Sequence, residues 1–192
     1  ITLELSAEEI RRRFFCRQSH IKYEEIPLRL DEVLRTSKAF QELHKCDTRI
    51  KRFPAGADCD AFRSYIYSLE SGGFKPGVII IDYGDLVGTC EKSSRDDEFS
   101  KQGKAYLEMR NLMIEFDAGG FTASQANREA MEKPVVGMKD LADCIKKAAH
   151  SDHLVGYCQT ALQRDLNEAR LYFCGTRHGK SGGFYDVRVD YE

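Results

Sequence analysis

The stretch "PGVIIIDYGDLV", residues 76–87, decides how the chain is read. Val78 to Ile81 are four consecutive branched aliphatic residues, set off by Pro76 and Gly77 on one side and Asp82 on the other. A strand with one wet face alternates apolar and polar residues, whereas a strand covered by helices on both faces is apolar throughout. The run therefore predicts a central strand of an α/β sheet, ending at a carboxylate. Asp82 has two readings on residue chemistry alone. It caps the turn from Tyr83 to Leu86, or it holds Mg²⁺ beside a phosphate-binding loop.

Working outward, "ITLEL" at the start predicts a short strand, and "SAEEIRRRFFCRQSH" a helix from Ala7. Ser6 and Glu9 there have capping-box spacing. Ile10, Phe14 and Phe15 share a face of that helix that Arg11 to Arg13 mostly avoid, and the arginines read as a solvated side or as a patch for DNA. One or two helices follow Pro27, then a short strand in "TRIKRFPAG" and a helix in "DCDAFRSYIYSLESGG", with Phe62, Ile66 and Leu69 on one side. Beyond the aliphatic run, "GTCEKSSRDDEFSKQGK" predicts a mobile loop and "AYLEMRNLMIEF" a helix. "GGFTASQANRE" reads as a glycine-broken strand, although Gly119 and Gly120 lower its strand preference. "MKDLADCIKKAAHSD" predicts a helix, "HLVGYCQT" a strand, and "ARLYFCGTRHGKSGGFYDVRVDYE" two strands around a glycine-rich turn. Strands alternating with helices indicate one α/β domain over residues 1–192, with a mainly parallel sheet, helices on both faces and antiparallel strands near the C-terminus.

The bulk numbers narrow the function classes. With 29 Lys+Arg against 31 Asp+Glu the net charge is −2, so any grip on nucleic acid has to come from local patches or a basic channel between subunits. Seven cysteines without a Cys-x-x-Cys pair favour reduced thiols in a cytosolic compartment over a zinc site or disulfide framework. The histidines show no ligand spacing. No apolar run approaches the roughly 18 residues of a membrane span. The chain opens at Ile1 without methionine, which suggests a fragment of a longer protein.

In parallel α/β sheets, ligands sit outside the carboxyl ends of the strands. Glu4, Asp82, Ser124 with Gln125, and Arg177 all fall at the polar ends of strand-like runs. Glu4 suits a general base on water attacking a phosphoryl group, or is an exposed strand residue. Gln125 suits an amide that orients that water or senses a γ-phosphate, or is an ordinary loop residue. Arg177 suits a bidentate phosphate contact, or is a solvated arginine.

Taken in order, "LELSAEEIRRRFFCRQSHI", "VIIIDYGDLV", "TASQANR", "MKDLADCIKKAAHSD" and "TRHGKSGGFYDVRVDYE" resemble the successive motifs of the motor domain of DnaB-type replicative helicases, within the RecA-like ATPases. The resemblance covers nearly the whole chain. It implies a ring-forming, usually hexameric ATPase that uses ATP and Mg²⁺, moves 5′ to 3′ on single-stranded DNA and works with primase or loader proteins. It also implies the cytoplasm as its place, at the nucleoid or as a phage product in a bacterial host, with no membrane partner. Position by position, Glu4 matches the family's catalytic glutamate and Asp82 its Walker B aspartate. Gln125 matches the glutamine linking the γ-phosphate to DNA-contacting loops, and Arg177 the arginine finger that reaches the neighbouring subunit's nucleotide. The segments from Glu91 to Lys104 and from Gln125 to Lys139 take the places of channel-facing loops.

Two departures stand beside these matches. No G-x-x-x-x-G-K-[S/T] occurs in the 192 residues; "GKSGG" at 179–183 has the letters without the spacing and reads as a turn. In the family the P-loop precedes the strand that holds Glu4, so it is expected upstream of Ile1. Where many relatives carry a second finger, a lysine two residues before the arginine, this chain has Gly175. Two alternatives therefore remain beside the helicase motor: a RecA-like regulatory or recombinase-type ATPase, and a non-catalytic interaction module.

Overall fold

The computed structural model describes residues 1–90, 98–127, 130, 133–137, 140 and 145–190. The chain divides into two compact units, Ile1–Pro54 and the residues from Ala55 onward.

In the first unit, α1 (Ala7–Ser19) starts where the capping box predicts, with the Ser6 and Glu9 side chains each bonded to the other's backbone N–H. It ends at His20 in the left-handed region (φ 56°). A 3-10 turn over Tyr23–Leu28 accommodates Pro27 and leads into α2 (Leu30–His44). Ile21, Ile26 and Val33 form the small core, with Phe15 and Cys16 against it. The strand expected in "ITLEL" is reduced to a single parallel bridge between Thr2 and Arg52. The Thr2 hydroxyl donates to the carbonyl of Leu5 and accepts from its N–H, which bends the chain after one pairing.

In the second unit, α3 (Cys59–Ser71) is capped by the Asp58 carboxylate on the N–H of Ala61 and ends at Gly72. β1 (Val78–Ile81) pairs in parallel with β2 (Gly119–Thr122), and α4 (Glu98–Glu115) lies between them in sequence. The helix thus begins within the stretch expected as a loop; residues 91–97 of that stretch fall outside the described residues. Gly120 has a packing reason: a Cβ there would stand 2.6 Å from Met113 Cγ of α4. Among the described residues β1 is buried on one face. Ile79 and Ile81 are buried while Val78 and Ile80 are more than half exposed. A continuous aliphatic run fits either situation, so the sequence could not separate them.

Downstream come α5 (Ile145–Ala149), β3 (His153–Cys158), α6 (Ala161–Asp165), β4 (Glu168–Thr176) and β5 (Phe184–Arg188). Residues 138–139 and 141–144 of the helix expected before β3 fall outside the described residues. β3, β4 and β5 form an antiparallel sheet in that order, so antiparallel pairing takes in three strands where two were expected. The reason is connection length. Residues 159–167 are fewer than the dozen or so that a parallel crossover needs. Thr160 and Gln163 close a second capping box there. The architecture is mixed α/β, a parallel pair followed by an antiparallel sheet with flanking helices. No helix among the described residues is long and apolar enough to cross a membrane.

Candidate active site

Parallel pairing puts the ends of β1 and β2 side by side, with Ile81 opposite Thr122. The Thr122 hydroxyl donates to the carbonyl of Ile81 at 2.8 Å. Beyond Ile81 the chain passes Asp82 and Tyr83 and enters a 3-10 turn, Gly84–Leu86, whose first N–H donates to Ala123 O at 3.1 Å. The turn is thereby folded against the segment leaving β2. Gly84 permits this approach, because a Cβ there would meet Tyr106 Oη at 2.7 Å and Thr122 Oγ1 at 2.9 Å.

Asp85, at the centre of that turn, gathers the polar groups around it. Lys147 Nζ of α5 and the Tyr106 hydroxyl of α4 each donate to Oδ1 at 2.8 Å. The Ser124 hydroxyl lies 3.1 Å from both carboxylate oxygens, and the Gln125 backbone N–H donates to Oδ2 at 3.1 Å. The Lys147 side chain is only 2% exposed. Gln125 turns its side-chain amide to the Tyr83 hydroxyl at 3.1 Å.

Asp82 is half-buried, and among the described residues no hydrogen bond or ion pair reaches its carboxylate. The turn after it carries no side-chain cap, so the capping alternative for Asp82 is not realised. Its chemistry fits Mg²⁺, a hard cation usually held by one or two carboxylates plus substrate phosphates. Asp85 does not fit, since its oxygens are already taken. Among the described residues no group of three or more His, Cys, Asp or Glu side chains is placed to hold a metal ion.

Glu4 is exposed in the first unit, two residues before the cap of α1. Arg177 follows β4 and is held by neighbours in its own chain. Its Nε stands 3.3 Å from Asp152 Oδ1, Nη2 donates to Ala149 O at 3.0 Å, and its backbone N–H donates to Asp152 O. Asp152 also receives Arg110 Nη1 at 3.0 Å. That bond from Arg110, with further help from Arg177, holds the Asp152 carboxyl below its ordinary range. Burial, then Arg110 and Arg177, push the His150 imidazole down. "GKSGG" lies in the β4–β5 hairpin, closed by Gly182 N–H to Phe173 O and Phe173 N–H to Gly183 O, with Gly179 and Gly182 at positive φ. Strand–turn–strand is not the strand–loop–helix of a P-loop.

Asp82 and Gln125 are therefore brought to neighbouring strand ends, while Arg177 sits in a separate ion cluster. Sequence reasoning missed Asp85, Tyr106 and Lys147. A second aspartate in "DYGD" was visible, but nothing marked Lys147 as its partner 62 positions on.

This architecture matches a RecA-like topology. Over its full length the chain superposes on a DnaB-like replicative helicase, described structurally together with its interactions with primase, with a TM-score of 0.77 and 16% identity, covering 49% of that chain. It also superposes in full on a second solved structure, an ATPase domain, at 0.75 and 17%, covering 73% of it. In sequence it is similar to the DnaB-like replicative helicase of Enterobacteria phage T4, 29% identical over 114 residues. That match takes in 58% of this chain and 24% of the phage protein. No family model matches the chain.

Proposed function

We propose that the chain is the larger part of an ATP-hydrolysing motor domain of a ring-forming replicative DNA helicase. The observation that carries the reading is the pairing of Asp82, whose carboxylate has no partner among the described residues, with Gln125 at the ends of adjacent parallel strands in a RecA-type fold. The similarity to the phage helicase supports it.

On this reading Asp82 would hold Mg²⁺, whose charge would stabilise that of the nucleotide phosphates. Glu4 accepts the proton of the attacking water. Gln125 senses the γ-phosphate and passes its state to the segment that follows. Arg177 acts in trans on the neighbouring subunit's nucleotide. Single-stranded DNA binds through phosphate contacts in a central channel, with primase or loader proteins as further partners. The reading requires a G-x-x-x-x-G-K-[S/T] in the full-length protein.

Single-turnover ATP hydrolysis by the full-length protein tests it. Glu4→Ala is expected to slow the chemical step by about 10²–10⁴-fold, the usual worth of a general base; an unchanged rate sinks that assignment. Hydrolysis without binding or unwinding of forked DNA would favour a RecA-like regulatory ATPase instead. A full-length chain with neither a P-loop nor hydrolysis would leave an interaction module.

A further inference from the structure

Asp85 is the meeting point of three segments distant in sequence. The turn after β1 contributes the carboxylate, the end of β2 contributes Ser124 and the Gln125 N–H, and α5 contributes Lys147. Each carboxylate oxygen has a distinct duty: Oδ1 takes the lysine and the Tyr106 hydroxyl, and Oδ2 takes the Gln125 backbone. The Gln125 side chain is fixed in turn to Tyr83, between Asp82 and Asp85 in sequence. Two residues beyond Lys147, the carbonyl of Ala149 accepts the Arg177 guanidinium. The desolvation of a largely buried ion pair is offset only when its geometry is good and further hydrogen bonds satisfy the remaining polar atoms, as Tyr106, Ser124 and the Gln125 N–H do for Asp85.

We propose that Asp85 is a positioning residue: its carboxylate, held by Lys147, Tyr106 and Ser124, presents the oxygen that sets the Gln125 main chain relative to Asp82. It touches no reacting atom. This rests on the ATPase reading for its catalytic consequence, but not for its structural one.

Two paired substitutions in the full-length protein separate the acceptor from the charge. Asp85→Leu with Lys147→Met removes both charges and the oxygen that receives the Gln125 N–H. Asp85→Asn with Lys147→Met removes both charges but keeps an amide oxygen there, since the Ser124 and Tyr106 hydroxyls can turn to accept from the amide. Amide hydrogen exchange without nucleotide reads the structural half. The Gln125 amide should exchange rapidly in the Leu/Met protein and stay protected in the Asn/Met protein. Steady-state hydrolysis reads the catalytic half. In the Leu/Met protein kcat should fall about 100-fold, the scale of a small misplacement, with KM little changed; the Asn/Met protein should retain most of its kcat.

Unchanged exchange at Gln125 in the Leu/Met protein, or equal losses in the two proteins, overturns the inference. If the Leu/Met protein does not fold, the Asn/Met protein decides: protection at Gln125 supports the inference and its loss overturns it. A wild-type protein that hydrolyses no ATP defeats the ATPase reading, while the exchange comparison still judges the role of Asp85.

Discussion

Gly84 is a residue whose identity follows from its neighbours. The turn after Asp82 can approach β2 only because no side chain intervenes, and the space a Cβ would need is held by Tyr106 Oη and Cζ and by Thr122 Oγ1, all within 2.9 Å of it. Tyr106 cannot swing aside freely, since its hydroxyl is bonded to Asp85 and its ring is buried. Gly84→Ala should therefore destabilise the protein by about 1–3 kcal/mol, the range for overpacking a well-filled site. Urea unfolding measures it, and Tyr106→Phe in the same chain should return part of the loss by removing the nearest atom. A cost unchanged by Tyr106→Phe would place the strain elsewhere. The same reasoning separates the two aspartates of "DYGD". Asp82 was legible as a candidate ligand because its position at the end of an aliphatic run carries meaning alone. Asp85 was not, because its role exists only once Lys147, Ser124 and Tyr106 have been folded around it.

At the scale of elements, α3 and α4 are joined by an ion cluster as well as by apolar packing. Arg63 Nε donates to Glu115 Oε2 at 2.8 Å, the Tyr67 hydroxyl donates to Oε1 at 2.8 Å, and the Tyr67 ring meets Phe116 edge-on at 5.0 Å between centroids. The bond from Arg63, helped by Tyr67, holds the Glu115 carboxyl below its ordinary value of 4.5, while Glu115 pushes the Tyr67 phenol above 10.0. A depressed carboxyl adds stability above its unfolded pKa and loses it as pH falls through the folded one; a raised phenol loses its contribution as pH rises through its folded pKa. The difference in melting temperature between wild type and Glu115→Gln should be constant through the neutral range. It should shrink below about pH 4.5, where the unfolded carboxyl begins to take up protons. A difference that grows on acidification contradicts the assignment. Helix starts such as Ser6/Glu9 were readable because a cap is a local bargain between residues three apart. The burial of only one face of β1 was not, because four aliphatic residues say nothing of how many layers cover them. The reach of the antiparallel sheet was readable in principle, from the short connection between β3 and β4.

For the whole molecule, the ordered succession of motifs made the fold legible where no single motif could, and superposition over the full chain agrees with it. What order cannot convey is whether a residue acts across a subunit boundary, and the role proposed for Arg177 is the case in point. Within its own chain it is engaged by Asp152 and Ala149. To act in trans its side chain would release an exposed ion pair with Asp152 and a hydrogen bond to Ala149 O, and surface ion pairs typically contribute about 0–1 kcal/mol. Release is thus inexpensive beside the stabilisation an arginine finger gives a transferring phosphoryl group. The test is complementation in the full-length protein between Arg177→Ala, which keeps Asp82, and Asp82→Asn, which keeps Arg177. Each variant alone should be nearly inactive as an ATPase. In an equal, randomly assembled mixture, half the sites keep Asp82 and half of their neighbours supply Arg177, so trans action should restore about a quarter of wild-type turnover. If Arg177 serves the site of its own chain, no combination of these subunits contains a complete site, and the mixture should be as inactive as its parts.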